Sequence, residues 1–492
     1  MENENLYSAF APLWGQTLAF LKKKCYNDVK KYSERGFQYM KIIVIGAGTV
    51  GFPICTELAA ERHDLTVIDT DSRVLGELSN TADVFAVQGN GADVSVLRRA
   101  GAERADLVIA VTAGDELNIL CCAVARKLGA KHTVARVRNP EYSELLTLMR
   151  EDMSLSLTIN PELSVAREIA RMLRFPAAAK IDVFCRGRVE LAEFVVPEGS
   201  LLAGLSLTEL RARIPLGFLV CGVLRDGETH IPTGDFRLAE GDMICVTAAD
   251  RDIAAFFKAI GMHRNPVRSV LIAGGGRITY YLEELLRREH ISSTVIEADK
   301  ARCTFLAEKT NATVICDACT KQETLAGEGL ERADAFLALS DIDEENAIVS
   351  LYAKTLQVPK IVTLIRSISY IDFFKSAGLE SIVSPKSTTV AQILRYVRAL
   401  AHAQDSRIET LHKLMDGSVE ALEFLVEEAI PEVTDIPLRE LGTVPGVLIA
   451  TIVRDGKVII PSGNDSILAG DTVIVVTAGN RQMDSIGDIV GK

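Results

Sequence analysis

Lys41-Ile42-Ile43-Val44-Ile45-Gly46-Ala47-Gly48-Thr49-Val50-Gly51 opens on apolar residues and then breaks into three spaced glycines. The apolar run reads as a buried strand and the residues after the turn read as a helix. The stretch recurs downstream as Val270-Leu-Ile-Ala-Gly274-Gly275-Gly276-Arg277-Ile-Thr279, with 228 residues between Gly46 and Gly274. The same offset links Asp69 to Glu297, Thr112 to Ser340, Asn118 to Asn346 and Arg138 to Arg366. So long a period marks a duplicated domain pair rather than a solenoid.

In the first copy, strands are expected at Ile42–Ile45, Leu65–Ile68, Val84–Val87, Leu107–Val111 and Thr133–Val137. Helical stretches lie between them, among them Val50–Ala60 and Glu116–Leu128. This alternation implies a parallel sheet with right-handed crossovers. Asn160-Pro161-Glu162 is a helix start, and Leu163–Leu173 reads as an amphipathic helix. It serves either as a crossover or dimerisation element or as a plain connector. From Ile181 the chain turns to short β runs. Asp226-Gly227, Ile231-Pro232 and Gly241-Asp242 are repeated as Asp455-Gly456, Ile460-Pro461 and Gly470-Asp471. Asp-Gly between apolar runs signals a hairpin.

The expected fold is therefore α/β, with two tandem Rossmann-like parallel-sheet domains, each followed by a small β-rich domain. The boundaries are an extension at 1–39, a nucleotide-binding domain at 40–160, a connecting helix at 161–180 and a β-rich domain at 181–265. The second set comprises 266–385, a connecting helix at 386–415 and 416–492. The extension carries Trp14 and the basic residues Lys22–Lys24, Lys30 and Lys31, and Met40 just after it would be a natural initiator. It reads as a loosely ordered addition or as a short amphipathic helix touching a membrane or partner.

The net charge of −12 argues against nucleic acid, whose affinity comes from Lys and Arg on phosphates. No apolar run approaches the roughly 18 residues of a membrane span. The ten cysteines are scattered, mostly within apolar runs, as expected of a reducing compartment. Cys316-Asp-Ala-Cys319 lacks the second pair that zinc would want.

The glycines carry the candidate chemistry. Gly46 permits the tight turn, Gly48 lets backbone approach a pyrophosphate, and Gly51 lets helix and strand pack closely. Phosphates meet free N–H groups at the helix start. Asp69 ends the second strand, where a carboxylate accepts from the adenosine ribose and repels a 2′-phosphate. NAD or an adenine nucleotide is thus favoured over NADP. Thr112 and Ala113 follow the fourth strand, and Arg136 in the fifth offers charge for phosphate or for a strand-end ion pair. Gly89-Asn-Gly91 forms another loop on the same edge. In the second copy Thr279 replaces the third glycine, Glu297 keeps the acid, Leu364 stands in for Arg136, and Arg277 enters the turn. A weaker, differently selective or empty site is expected there.

These residues, together with Val87-Gln88-Gly89, Ala135-Arg136-Val137-Arg138 and the paired β-rich signatures, resemble the TrkA family of Trk-type potassium-uptake regulatory subunits, built of tandem RCK units. The resemblance covers about residues 40–492. It implies a cytoplasmic ring, a homo-tetramer of tandem units, docked peripherally under a potassium-translocating membrane subunit and gated by NAD(H) and by ATP or ADP. It implies contacts at Gly46, Ala47, Gly48, Thr49, Val50, Asp69, Thr112, Ala113 and Arg136, and in the second copy at Gly274, Gly276 and Glu297. The reading of the residues themselves adds Gly51, Gly275 and Arg277, the last placed to reach phosphate. A regulator of a different transporter would look similar. An NAD-dependent dehydrogenase would need an acid–base residue over the nicotinamide, whereas the seven histidines are dispersed.

Overall fold

A computed structural model describes residues 39–142, 155–176, 178–262, 267–367, 370–379, 381–401, 407–478, 483 and 485–491. Apart from Tyr39, the 1–39 extension lies outside them.

The first glycine turn follows β1 (Lys41–Ile45), whose last four residues are buried. β1 is flanked by β2 (Asp64–Asp69) and β4 (Leu107–Ala110), with β3 (Phe85–Gln88), β5 (His132–Arg136) and β6 (Leu157–Ile159) outside them. All pairings in the order β3-β2-β1-β4-β5-β6 are parallel. The order reverses beside β1, which leaves a crevice at the carboxyl end of that strand.

The antiparallel module that follows contains β7 (Lys180–Phe184), β8 (Val189–Val195), β9 (Phe218–Arg225), β10 (Glu228–His230) and β11 (Met243–Ala249), in the order β10-β9-β11-β8-β7. The second parallel sheet is β12 (Ser269–Ala273), β13 (Ser292–Glu297), β14 (Thr313–Cys316), β15 (Ala335–Ala338), β16 (Lys360–Leu364) and β17 (Ile382–Val383), in the order β14-β13-β12-β15-β16-β17. The last module holds β18 (Arg407–Leu414), β19 (Val419–Leu425), β20 (Val447–Arg454), β21 (Lys457–Ile459) and β22 (Thr472–Ala478).

The recurring Gly-Asp signature of the β-rich modules has a packing role. Buried Asp242 takes two hydrogen bonds from Arg225, both at 2.7 Å, and Asp471 takes the same pair from Arg454 at 2.8 and 2.7 Å. Each carboxylate also caps a turn, accepting from Ala239 N and Leu468 N. Paired and fully hydrogen-bonded, these buried charges fix the hairpins instead of destabilising them.

The two halves exchange helices. Pro161–Arg174, capped by Asn160, leaves the first sheet and lays Val165, Ala166, Ile169, Met172 and Leu173 against Val270, Ile272, Ile278 and Leu282 of the second. Pro385–Ala401 crosses back, packing Ile393, Leu394, Val397 and Ala401 on Ile42, Val44, Ile54 and Leu58. Each large apolar side chain buried this way contributes about 1.5–3 kcal/mol. Arg398 ion-pairs with Glu61 through Nε at 2.8 Å, and Gln392 Nε2 donates to Ser164 Oγ at 2.9 Å.

The β-rich modules meet face to face, burying Phe184, Leu191 and Cys245 against Leu414, Met415 and Ile474. At the edge of that contact His412 Nδ1 donates to Asp182 Oδ1 at 2.7 Å, while Arg395 Nη1 donates to His412 Nε2 at 3.1 Å. Arginine has only donors, so this arrangement selects the Nδ1–H tautomer. Burial holds the imidazole below its usual pKa against the pull of Asp182. The Asp182 carboxyl stays well below its ordinary range, because Lys180 and His412 outweigh the burial that opposes them. A cavity of about 670 Å³ opens between the modules, lined by Thr208, Arg211, Pro232 and Gly446 among others.

Candidate functional site

The first cleft is built around one backbone contact. Gly46 sits at φ 98°, a left-handed conformation, and donates its N–H to Ile68 O at 2.8 Å. This folds the turn back so that Gly46 O faces the start of the helix Gly51–Ala60. A Cβ on Gly51 would lie 1.8 Å from Gly46 O. Gly48 is the opposite case: a Cβ there would meet nothing within 4 Å, so its exposed face is the side open to a ligand. Ala47 and Val50 are buried, and Thr49 is exposed.

Asp69 braces this turn from the end of β2. Its Oδ2 accepts from Ala47 N at 2.7 Å and its Oδ1 from Asp71 N at 2.9 Å. A carboxylate oxygen has a second lone pair, and half-buried Asp69 keeps acceptor capacity toward the crevice.

On the facing side, Thr112 and exposed Ala113 follow β4. Fully buried Asn118 holds Thr112, accepting from its N at 2.8 Å and its Oγ1 at 2.7 Å. Asn118 Nδ2 donates to Thr112 O and to Arg136 O at 3.2 and 2.9 Å. Arg136 donates one Nη to Thr112 O at 2.7 Å, while its Nε is buried with no hydrogen-bond partner. Burial and neighbouring Arg138 push this guanidinium below its ordinary pKa. An anion at the cleft would relieve that repulsion. Gly91 packs over Ile45, which brings the β3 loop to the same edge.

The second cleft repeats the frame with different parts. Gly274 N donates to Ile296 O at 2.9 Å, and Glu297 accepts from Gly275 N and Asp299 N at 2.7 and 2.8 Å. A Cβ on Gly275 would lie 3.0 Å from Glu297 Cβ. Leu306 Cδ1 would be closer still, at 2.7 Å, so the position that is Ala47 in the first copy is too crowded for a side chain here. Thr279 does not keep helix and strand apart. Its Oγ1 donates to Gly274 O at 2.6 Å, and the helix begins at Arg277, two positions earlier in the repeat than at Gly51. Thr279→Val keeps the shape and leaves that buried acceptor unpaired. Urea unfolding of the variant should show a loss of about 1–3 kcal/mol, and no loss would mean the bond is idle.

The exchange brings the two clefts close together. Glu162, in the first turn of the crossing helix, feels Arg138 and Arg136 of the first cleft and Arg277 of the second glycine turn. Burial nevertheless holds its carboxyl above the usual range. Tyr281, on the second cleft's helix, accepts from Asn160 Nδ2 at 2.8 Å and donates to Arg138 O at 3.1 Å. Glu162, Tyr281 and Asn118 line this region; Asn118 was marked in the sequence by its recurrence as Asn346 and Glu162 by the helix start at Asn160-Pro161-Glu162, whereas Tyr281 carried no signal. Asn346 spans Ser340 and Leu364 in the same way. Asp115 pins the loop after β5 by accepting from Arg138 N and Asn139 N, and Asp343 does the same with Arg366 N and Ser367 N.

Among the described residues, no group of three or more His, Cys, Asp or Glu side chains is placed to hold a metal, and no helix is long and apolar enough to cross a membrane.

The TrkA-N domain model matches residues 42–157 and 270–385, and the TrkA-C domain model matches 191–261 and 431–484. The chain is 32% identical over 438 residues to the Trk system potassium uptake protein TrkA homolog of Archaeoglobus fulgidus, covering 89% of this chain and 97% of that one. It is 33% identical over 453 residues to Trk system potassium uptake protein TrkA of Halomonas elongata, with 91% and 98% covered. Among solved structures, the GsuK channel bound to NAD superposes with TM-score 0.59 at 19% identity, over 90% of this chain and 77% of that chain. The GsuK RCK domain gives TM-score 0.58 at 20% identity, over 90% and 93%. At that identity the superpositions speak for the fold.

Proposed function

The chain belongs to the TrkA family, and from that premise we propose that it is a nucleotide-sensing regulatory subunit which gates a Trk-type potassium-translocating membrane partner. Its relatives across about nine-tenths of the chain are named as Trk potassium uptake proteins. One neighbour of the same fold is described as bound to NAD. The observation that supports the reading is the first cleft, where Gly48 with open space beside it, Asp69 bracing the glycine turn and the unpartnered Arg136 Nε lie at the reversal point of a parallel sheet.

NAD(H) or ATP/ADP would place its phosphates on the turn Gly46–Gly51, with Thr112 and Ala113 opposite and Arg136 supplying positive charge. Gly274, Gly276 and Glu297 would frame a second site, and Arg277 would face the charged group around Glu162. A ligand shifts a conformational balance only through unequal affinity for its states. Glu162 gives that inequality a route, because charge added at either cleft alters the field at the other. The partner would be met at the cytoplasmic face of the membrane by a ring, a homo-tetramer of these tandem chains.

The test is potassium flux through the reconstituted partner while NAD, NADH, ATP and ADP are varied. Wild-type chain should make flux depend on nucleotide. Asp69→Ala should weaken NADH binding by about 1–3 kcal/mol in calorimetry, the scale of a lost hydrogen bond to a charged group, and shift the flux response accordingly. Flux indifferent to all four nucleotides would reject gating. Unchanged NADH affinity in Asp69→Ala would reject the ribose role.

A further inference from the structure

Two thiols flank Glu297 at the second cleft, and a third follows three residues along the chain. Cys303 lies in the helix Lys300–Lys309, which Asp299 caps, and its buried Sγ donates to Glu297 O at 3.2 Å. Cys316 ends β14 as the register partner of Glu297, and it is exposed. Glu297 thus brings them together: Cys303 Sγ lies on its carbonyl, and Cys316 is its neighbour on the adjacent strand. Cys319 is half-buried nearby in the chain. The repeat places Leu75, Gln88 and Gly91 at the corresponding positions of the first copy, so the shared scaffold does not require sulfur there. The other described cysteines are all buried.

We propose that Cys303 and Cys316 form a reversible disulfide, by exchange with a low-molecular-weight disulfide, and that this bond reports thiol oxidation at the second cleft. Exposed Cys316 reacts first. Its thiolate attacks one sulfur of the small disulfide, forming a mixed disulfide and releasing one small thiolate, which takes up a proton. Cys303, having given up its proton, then attacks the Cys316 sulfur as thiolate and expels the second small thiolate, which takes up a proton to become a thiol. The protein loses two electrons and two protons, and the small disulfide gains both as two thiols. Burial and neighbouring Cys316 raise the Cys303 thiol to about 11, so Cys303 is the slower, resolving partner.

The bond draws Cys303 off the Glu297 carbonyl. The same turn carries Asp299, whose N–H is held by the Glu297 carboxylate. Oxidation therefore bears first on the acid of the second cleft, since the first copy has no thiol at these positions.

The full chain, incubated with oxidised glutathione and then alkylated with N-ethylmaleimide, is digested and mapped by mass spectrometry. The expected product is one linked peptide pair joining Cys303 to Cys316, lighter by two hydrogens, with two fewer alkylated thiols and reversal by dithiothreitol. Cys316→Ser should abolish both the link and the mixed disulfide. Cys303→Ser should leave the mixed disulfide standing, and Cys319→Ser should leave the link intact. A Cys316–Cys319 link, a mixed disulfide at Cys316 that never resolves in wild-type chain, or full alkylation of all three thiols would overturn the assignment.

Discussion

Gly51→Ala should abolish nucleotide binding at the first cleft, with affinity falling at least about 100-fold. The added Cβ lands 1.8 Å from Gly46 O and 2.9 Å from Gly46 C. Both are backbone atoms, so no side chain can swing aside. Forced overpacking of this kind costs about 1–3 kcal/mol in stability, and here it is relieved only by moving the turn that would hold the phosphates. The second copy shows what a tolerated side chain needs at this position: Thr279 offers a hydroxyl to Gly274 O and starts its helix early. Alanine has no hydroxyl to offer. Gly48→Ala provides the contrast, because its Cβ meets no protein atom within 4 Å. That variant should melt like wild type and still bind NADH poorly, since the methyl occupies the ligand's approach. Calorimetric titration and thermal melts of both chains separate the two effects. Wild-type NADH affinity in Gly51→Ala would show that the turn is not the phosphate cradle.

Asn118→Leu should cost about 2–4 kcal/mol of stability, the largest loss expected from a single side chain at this site. The asparagine is fully buried and makes four hydrogen bonds, three to backbone groups of Thr112 and Arg136. Leucine matches its size and satisfies none of them. Thr112 N and Arg136 O then remain desolvated and unpaired, which is the expensive outcome. Urea unfolding of the full chain reads the loss. A change under about 0.5 kcal/mol would mean that the surroundings supply other partners.

The first sheet could be read from its sequence because period and punctuation agreed. Ile42–Ile45 and the glycines after it mark strand and turn, and β1 begins one residue earlier, at Lys41. The helix expected at Leu163–Leu173 extends to Pro161–Arg174, since Asn160 and Pro161 supply its start. The sixth strand of each sheet escaped notice. Leu157–Ile159 and Ile382–Val383 are too short to show alternation. The exchange was legible only as one alternative, a crossover at Leu163–Leu173 beside a plain connector. An apolar stripe such as Val165, Ile169 and Leu173 reveals that a helix must be covered, while saying nothing about which sheet covers it. Asn118 showed itself only by recurring in the second copy, and Arg138 by recurring and by its place in Ala135–Arg138, with no hint of their partners. Glu162 looked like part of a helix start, and its place among Arg136, Arg138 and Arg277 depends on where that helix crosses, which sequence did not specify.

The contact between His412 and Asp182 has one more implication. Counted along the repeat, these two are the same position, 230 residues apart, just as Ser164 and Gln392 are at 228. A dimer of identical chains must set such a residue against its own twin, aspartate on aspartate or histidine on histidine. Joining the copies in one polypeptide removes that obligation, so an acid can face a base across the pseudo-dyad. The same freedom lets one glycine turn keep its third glycine while the other adopts a threonine.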